Sequence, residues 1–323
     1  MKIFITRQIP DKGTNLLKEK GYELTVSPYD RMLTKEELIE YLKKDRYDAV
    51  LCLLTDKIDA DVFDAAKESG VKIIANYAVG FDNIDLAAAK KRGVLVTNTP
   101  GVLTDAVAEH TFALILAIAH RVSEADRFTR GGKFKGWEPM LLLGEGMEKK
   151  TLGVLGLGRI GARVAYYAKN GFDMHVLYYD VRRNEEFERK YGAEFRENPD
   201  DIFKEADVVS VHVPLLPSTK HMVNAERLGM MKKTAYIVNT SRGPVIDEEA
   251  LGEALKAGVI KGAALDVFEH EPEINPLLLE SENVILTPHI ASATKEARDE
   301  MATLAAKNII AALSGGTPSN LVE

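Results

Sequence analysis

The sequence predicts an α/β protein with two doubly wound, parallel-sheet domains, and three observations lead to this prediction. Short apolar runs alternate with longer helical patterns along the chain, as in right-handed βαβ units. A length of 323 residues exceeds one typical core and suits two domains. A glycine-rich segment, GLGRIG at 156–161, stands between a strand pattern and a helix pattern and opens a second alternating series.

Composition and charge exclude several classes of protein. Hydrophobic residues make up 46% and charged residues 28%, which is typical of a soluble globular chain. The net charge of −7 does not indicate a protein that binds nucleic acid. The longest apolar run, 112–119, is too short to cross a membrane. The N-terminus lacks a signal-peptide pattern, so we expect a cytoplasmic protein. Cys52 is the only cysteine, which excludes an internal disulfide and thiolate metal clusters.

The first series of strands occupies roughly the first hundred residues. Its strand patterns are KIFIT, YELTVS, DAVLCLL, VKIIANYA and GVLVTNT. A helix then follows whose residues 106–119 are apolar almost all round, with Thr104 or Asp105 as its cap. Such a helix is buried on several sides, which suits a domain junction or a subunit interface.

The second series begins after a looser stretch, RGGKFKGWEPMLLLGEGMEKK, which holds the only tryptophan, Trp137. Its strand patterns are TLGVL, MHVLYYD, ADVVSVHVP, AYIVNTS, GAALDVF and NVILTPH. The final segment, TKEARDEMATLAAKNIIAALSGG, has helical periodicity and stops at Gly315 and Gly316.

The glycine-rich segment predicts a dinucleotide site in its strand–turn–helix context. Gly156 permits the tight turn, Gly158 lets backbone N–H groups approach a pyrophosphate, and Gly161 allows helix and strand to pack closely. Asp180 ends the next strand, 19 residues beyond Gly161, where a carboxylate accepts hydrogen bonds from ribose hydroxyls.

Asp180 favours NAD over NADP because a carboxylate repels a 2′-phosphate. Arg182 and Arg183 leave NADP open, since either guanidinium could reach that phosphate, although both are equally explained as solvated surface charges. The expected cofactor is therefore NADH, with NADPH as the alternative.

Three side chains follow three strands of the second series: Arg242, Glu271 and His289. A lone histidine at the end of a strand is most often a structural residue, but these three should meet, because ligands bind at the carboxyl ends of parallel strands. An imidazole can give a proton to a ketone oxygen, a neighbouring carboxylate fixes the ring, and a guanidinium binds a substrate carboxylate. No other histidine has a second ligand at metal spacing, so we expect no metal.

The chain resembles the D-2-hydroxyacid dehydrogenase family over essentially its whole length. The segments that carry the resemblance are YAVGFDNID, VLVTNTPGVLTDAVAEHTFALIL, LGLGRIG, NTSRGPVIDEEAL, ALDVFEHEP and LTPHIASAT. It implies that Arg242, Glu271 and His289 are the catalytic arginine, glutamate and acid/base histidine. Ala291 departs from the glycine that many members have beside the nicotinamide.

The resemblance also implies contacts for substrate and cofactor. Backbone N–H groups of Val79 and Gly80 would bind the substrate carboxylate, with Leu54 beside the substrate. The implied cofactor contacts, beyond the three glycines and Asp180, are Thr104, Arg159, Ile160, Thr240 and Asp266.

Within the family the sequence is most similar to the glyoxylate/hydroxypyruvate reductases, through NTPGVLTDAVAEHT and WEPMLLLG. In that branch the residue matching Trp137 reaches a neighbouring subunit's active site, which implies a homodimer; the alternative is an exposed arm packed on its own domain. The resemblance further implies a discontinuous substrate domain, 1–99 plus 290–323, a dinucleotide-binding domain, 100–289, and a cleft between them.

The expected function is NAD(P)H-dependent reduction of a small 2-oxo acid, glyoxylate or hydroxypyruvate, to the D-2-hydroxy acid, with the proton from His289. D-lactate or D-3-phosphoglycerate dehydrogenase activity is an alternative. A cofactor-gated binding protein without enzyme activity is another alternative. Extra tails or peptide-binding insertions would distinguish it, and this sequence ends soon after its last helical segment. Formate dehydrogenase chemistry is disfavoured because those relatives have glutamine where Glu271 stands.

Overall fold

Residues 1–322, which the computed structural model describes, contain twelve strands in two wholly parallel sheets. The strands are β1 Lys2–Ile5, β2 Glu23–Val26, β3 Ala49–Leu53, β4 Ile73–Tyr77, β5 Leu95–Thr97, β6 Thr151–Leu155, β7 His175–Tyr179, β8 Glu194–Phe195, β9 Val208–Val211, β10 Tyr236–Asn239, β11 Gly262–Leu265 and β12 Val284–Leu286. Every strand pairing in both sheets is parallel, which confirms the predicted fold class.

Thirteen α-helices connect or follow these strands within the same described range. They are α1 Asp11–Glu19, α2 Lys35–Lys44, α3 Ala60–Ser69, α4 Leu86–Arg92, α5 Thr104–Ala119, α6 Val122–Arg130, α7 Arg159–Phe172, α8 Glu185–Tyr191, α9 Pro199–Glu205, α10 Ala225–Met230, α11 Glu248–Lys256, α12 Pro276–Glu280 and α13 Lys295–Leu313. None of the described helices is both long and apolar enough to span a bilayer.

The chain divides into two units. The first comprises Met1–Leu103 together with the chain from Ala293 onward, and the second comprises Thr104–Ser292. The expected limits, 1–99 plus 290–323 and 100–289, lie a few residues earlier at each junction. The first boundary of the structure coincides with the start of α5 at Thr104, and the second falls just before α13, which begins at Lys295.

The first unit has the sheet order β2-β1-β3-β4-β5, the flavodoxin-like doubly wound arrangement. Its central strands β3 and β4 are buried almost throughout, and apart from Asn76 their sequences are continuous apolar runs rather than alternating ones. Helix α13 packs against α1 at Gly13, where a Cβ atom would lie 2.6 Å from the carbonyl oxygen of Ala302. This close approach needs glycine at position 13.

The second unit has the sheet order β12-β11-β10-β9-β6-β7-β8, which is the Rossmann arrangement with an added strand. The strand order reverses between β6 and β9, so the loops that follow these two strands flank the crevice where such sheets bind dinucleotides. Helix α5 is buried on several faces, as its composition predicted. It already includes Thr104 and Asp105, so both residues lie in its first turn instead of at its cap.

Candidate active site

The glycine-rich loop after β6 has the geometry that a pyrophosphate site needs. Gly156 has φ 94°, and a Cβ atom there would lie 2.9 Å from the backbone of His212. At Gly161 a Cβ atom would lie 2.1 Å from the carbonyl oxygen of Gly156, so only glycine fits where α7 passes the loop. Gly158 is exposed, with no atom within 4 Å of a Cβ built on it. The loop is therefore tightly packed at Gly156 and Gly161 and open to solvent at Gly158, as the approach of a phosphate to backbone N–H groups requires.

Asp180 lies directly after β7 and beside this loop. Its Oδ2 accepts the N–H of Leu157 at 2.7 Å, and its Oδ1 accepts the N–H of Arg182 at 3.1 Å. The carboxylate is thus fixed at the position where a ribose is bound in this fold. Arg183, which sequence reasoning considered as a phosphate ligand, is engaged by Glu188 at 2.8 Å.

The other expected cofactor residues lie at the same end of the second sheet or at the starts of its helices. Arg159 and Ile160 begin α7, and Thr104 begins α5. Thr240 follows β10 and donates to the hydroxyl of Thr111 at 2.7 Å, because that hydroxyl gives its own proton to a backbone carbonyl. Their contact with a nicotinamide dinucleotide stays a prediction.

The side chains of His289 and Glu271 form the central pair of the site. His289 Nδ1 lies 2.9 Å from Glu271 Oε2, and Glu271 Oε1 accepts the N–H of Phe268 at 3.0 Å. The carboxylate is held by the backbone on one side and orients the imidazole on the other. Since Nδ1 is engaged, Nε2 is the ring atom that can transfer a proton, and the side chain is 26% exposed.

Arg242 follows β10, the strand between β9 and β11. Its loop is held by Asn239, whose Nδ2 donates to the carbonyl of Arg242 at 2.9 Å. A Cβ atom at Gly243 would lie 1.9 Å from the carbonyl of Phe268, so this loop touches the loop that orients Glu271. The three predicted residues therefore follow three neighbouring strands, β10, β11 and β12, and their loops are in contact or hydrogen bonded.

Asp266 anchors the loop that carries His289. Asp266 directly follows β11 and is fully buried. Its Oδ1 accepts hydrogen bonds from the Thr287 hydroxyl at 2.6 Å and from the N–H of Ile290 at 2.9 Å. Its Oδ2 accepts the N–H of Ala291 at 2.7 Å. His289 between them has φ 54°, a left-handed conformation that side chains rarely adopt. These hydrogen bonds to the Asp266 carboxylate, which we call the clamp, therefore stabilise a backbone conformation that the loop would not favour alone.

Helix α5 contributes a histidine to this clamp. His110 Nε2 lies 3.3 Å from the Thr287 hydroxyl and 3.5 Å from Asp266 Oδ1. Burial raises the pKa of Asp266, but the hydrogen bonds from His110, Thr287 and two backbone N–H groups lower it by more. The net result is a pKa below the ordinary value of an aspartate. Asp266 thus functions as a carboxylate acceptor for the whole loop.

The predicted carboxylate-binding residues of the first unit, Val79 and Gly80, lie in the loop after β4. The carbonyl of Val79 accepts Asn98 Nδ2 at 2.7 Å, and the carbonyl of Gly80 accepts Asn76 Nδ2 at 2.9 Å. Leu54 follows β3, the neighbouring strand, and is half-buried. These loops share one edge of the first sheet.

The segment between α6 and β6 exposes several apolar side chains. Trp137 is 84% exposed, so it does not pack on its own unit. Phe134, Met140 and Leu143 of the same segment are also exposed.

Sequence reasoning missed several polar partners. His110 lies in the apolar helix α5 yet contacts the Thr287 hydroxyl, and His221 pairs with Glu269 at 2.6 Å. Asn76 and Asn98 received no role. The available signal was weak: a polar residue inside an apolar pattern indicates a hydrogen bond but does not identify the partner. Among the described residues, no group of three or more His, Cys, Asp or Glu side chains could hold a metal ion.

A Rossmann sheet with a glycine-rich loop, a ribose-side carboxylate and a histidine–glutamate pair defines a dinucleotide-dependent oxidoreductase. Residues 112–291 match the family model described as D-isomer specific 2-hydroxyacid dehydrogenase, NAD binding domain. The chain belongs to this family. Its second unit contains the nicotinamide-dinucleotide-binding domain.

Curated relatives and solved structures align with this chain over its full length. The chain is 50% identical to the glyoxylate reductase of Thermofilum pendens over 324 residues, covering 100% of this chain and 94% of that protein. It is 49% identical to the glyoxylate reductase of Thermococcus litoralis over 326 residues, covering 100% and 96%. The TT0316 protein from Thermus thermophilus superimposes with a TM-score of 0.93 at 42% identity over the whole of both chains. A glyoxylate reductase from Paecilomyes thermophila gives 0.88 at 30% identity, covering 100% of this chain and 98% of that chain.

Proposed function

We propose that this protein reduces small 2-oxo acids to D-2-hydroxy acids with NADH, and that glyoxylate and hydroxypyruvate are its principal substrates. The observation that carries the proposal is the 2.9 Å pair of His289 and Glu271 at the carboxyl ends of a Rossmann sheet. The names of the relatives from Thermofilum and Thermococcus support the choice of substrate.

His289 supplies the proton in this proposal. Glu271 holds Nδ1, so the transferred proton leaves from Nε2 and goes to the carbonyl oxygen of the substrate as the C=O π bond breaks. When bound, the reduced nicotinamide supplies the hydride that adds to the carbonyl carbon. Asp266 keeps the His289 loop in its left-handed conformation, so the ring needs little rearrangement before transfer.

We assign recognition of the substrate carboxylate to Arg242 and to the N–H groups of Val79 and Gly80, with Leu54 beside the substrate. A guanidinium can form two parallel hydrogen bonds to a carboxylate, and paired backbone N–H groups add two further donors. Substituting Arg242 should therefore raise the KM for the 2-oxo acid more than it changes the affinity for NADH.

We propose NADH as the preferred cofactor. The Asp180 carboxylate would repel a 2′-phosphate, and Arg183 is paired with Glu188 and so is not directed to such a phosphate. The glyoxylate/hydroxypyruvate reductase from Sinorhizobium meliloti, 30% identical, is NADPH-dependent and was solved with NADP, so NADPH is the alternative that the cofactor assay must compare.

We also propose a homodimer in the cytoplasm, with Trp137 contributing to a neighbouring subunit's site. The 84% exposure of this tryptophan, with Phe134 and Met140 exposed beside it, is typical of a segment that packs on a partner. Sedimentation of the purified protein tests this assignment: a dimer is expected, and a monomer at micromolar concentration would contradict it.

A single assay tests the function. The absorbance of NADH is followed with purified protein and, in turn, glyoxylate, hydroxypyruvate, pyruvate and phosphohydroxypyruvate, and the series is repeated with NADPH. Glyoxylate or hydroxypyruvate with NADH should give the highest kcat/KM, and the product of hydroxypyruvate should be the D isomer. Higher kcat/KM with pyruvate or with phosphohydroxypyruvate would replace the proposed substrate class, and no oxidation with any pair would favour a non-enzymatic binding protein.

A further inference from the structure

Three successive carbonyl groups in the loop after β4 have their own hydrogen-bond donors. The carbonyl of Ala78 accepts the N–H of Thr99 at 2.8 Å. The carbonyl of Val79 accepts the side-chain amide of Asn98 at 2.7 Å, and the carbonyl of Gly80 accepts that of Asn76 at 2.9 Å. The orientation of each peptide in this loop is therefore set by a neighbouring segment.

This arrangement fixes the direction of the backbone N–H groups. In a planar trans peptide the N–H points opposite to the carbonyl of the preceding residue. The N–H of Val79 is therefore directed away from Thr99, and the N–H of Gly80 away from Asn98. Because these two partners are consecutive residues, both N–H groups are turned away from the same segment. Two adjacent N–H groups turned to one side form an anion-binding concavity.

Asn98 is itself held in place from two directions. Its N–H donates to the carbonyl of Asn320 at 3.2 Å, and its carbonyl accepts Nδ2 of Asn308, on α13, at 3.3 Å. Asn308 is 2% exposed. Because its backbone is fixed on both sides, Asn98 can present its side-chain amide to Val79 with little further loss of backbone entropy.

We propose that Asn98 is a positioning residue for the substrate carboxylate: by holding the carbonyl of Val79, it keeps the N–H of Gly80 directed at the anion. This inference rests on the proposed function, because it concerns the carboxylate that Val79 and Gly80 would bind. Asn98 acts through the peptide that joins these two residues. Its removal should therefore affect the binding of carboxylates and leave proton transfer by His289 nearly unchanged.

The test compares Asn98→Ala with the matched control Asn308→Ala, which removes an asparagine side chain from the same neighbourhood but spares the carbonyl of Val79. Asn98→Ala should raise the KM for glyoxylate roughly tenfold, because the N–H of Gly80 would no longer be directed at the carboxylate and about one hydrogen bond to the substrate would be lost. The value of kcat should change less than about twofold. The affinity for NADH, measured by fluorescence titration, should stay the same. Asn308→Ala should have a smaller effect on KM, and Asn98→Gln, which keeps an amide donor, should recover part of the affinity.

Direct binding separates this inference from the proposed function. Calorimetry with oxalate, a dicarboxylate of similar size to glyoxylate, should show a weaker affinity for Asn98→Ala than for the wild type by the same factor. A lower kcat with unchanged KM, an equal effect of Asn308→Ala, or equal oxalate affinities would overturn the positioning role. If Asn98→Ala does not fold, Asn98→Ser is measured in its place. A wild-type protein that reduces no 2-oxo acid would refute the proposed function, and the oxalate comparison would still decide the role of Asn98.

Discussion

The two units hold their functional loops by different chemistry. In the second unit one buried carboxylate, Asp266, accepts a hydroxyl and two backbone N–H groups and so fixes the loop of His289. In the first unit the neutral amides of Asn76 and Asn98 donate to backbone carbonyls and fix the loop of Val79 and Gly80.

The difference follows from what each loop presents. The loop of His289 presents a side chain, so its backbone N–H groups can be used for anchoring, and an acceptor is needed to hold them. In our proposal the loop of Val79 and Gly80 presents N–H groups to the substrate, so its carbonyls serve for anchoring, and donors are needed. A charged acceptor makes stronger hydrogen bonds than a neutral amide, so the second unit's clamp should contribute more to stability and should depend on pH.

The largest effect is expected for His289, whose loop the Asp266 clamp of the second unit holds in place. His289→Ala should lower kcat for glyoxylate reduction by about 10²- to 10⁴-fold, because a positioned general acid is lost. The affinity for NADH should stay near that of the wild type. His221→Ala is the matched control, since it removes another histidine paired with a glutamate, at 2.6 Å, and should leave kcat nearly unchanged. Equal losses in the two variants would show that kcat depends on local stability instead of proton transfer.

A smaller effect is expected when the charged acceptor becomes neutral. An asparagine at position 266 has one acceptor oxygen, so Asp266→Asn leaves at least one of the N–H groups of Ile290 and Ala291 facing an amide nitrogen. The free energy of unfolding should fall by about 1–3 kcal/mol, which is the cost of an unsatisfied buried group. Denaturation in urea measures this loss. If Asn98→Ala is equally destabilising in the same experiment, the charged and neutral clamps do not differ as we describe.

Much of this comparison could be predicted from the sequence, but not all of it. Alternating apolar runs and the glycine-rich loop predicted both sheets and the dinucleotide crevice, because local spacing determines them. Strand β8 was missed, since its two residues, Glu194 and Phe195, are too few to give a periodic signal.

The clamps themselves are long-range features. Asn98 lies 19 positions from Val79, and His110 lies 177 positions from Thr287, so no local pattern indicates which residues meet. Such partners depend on how a helix face or a strand end is oriented in the folded unit. Sequence spacing does not determine this orientation.

The smallest expected effect is a pH dependence of opposite sign in the two units. Hydrogen bonds outweigh burial and lower the pKa of Asp266, so its contribution to stability is present above the ordinary value of 3.8 and is lost as the pH falls through the lower folded pKa. In the first unit, burial raises the pKa of Asp56, so its contribution is favourable below 3.8 and is lost as the pH rises through the raised folded pKa.

Denaturation midpoints at about pH 7 and about pH 3 test these signs. On acidification Asp266→Asn should lose less stability than the wild type, and Asp56→Asn should lose more. Parallel changes in both variants would contradict the assigned directions.

The most direct test of the account is a double-mutant cycle on the 2.9 Å pair of His289 and Glu271, measured as kcat for NADH-dependent glyoxylate reduction. If Glu271 acts by orienting the ring, Glu271→Gln should lower kcat by about 10- to 100-fold in the wild type and change it little in the His289→Ala background. Equal losses in both backgrounds would contradict the claim that the two side chains work as one proton-transfer unit.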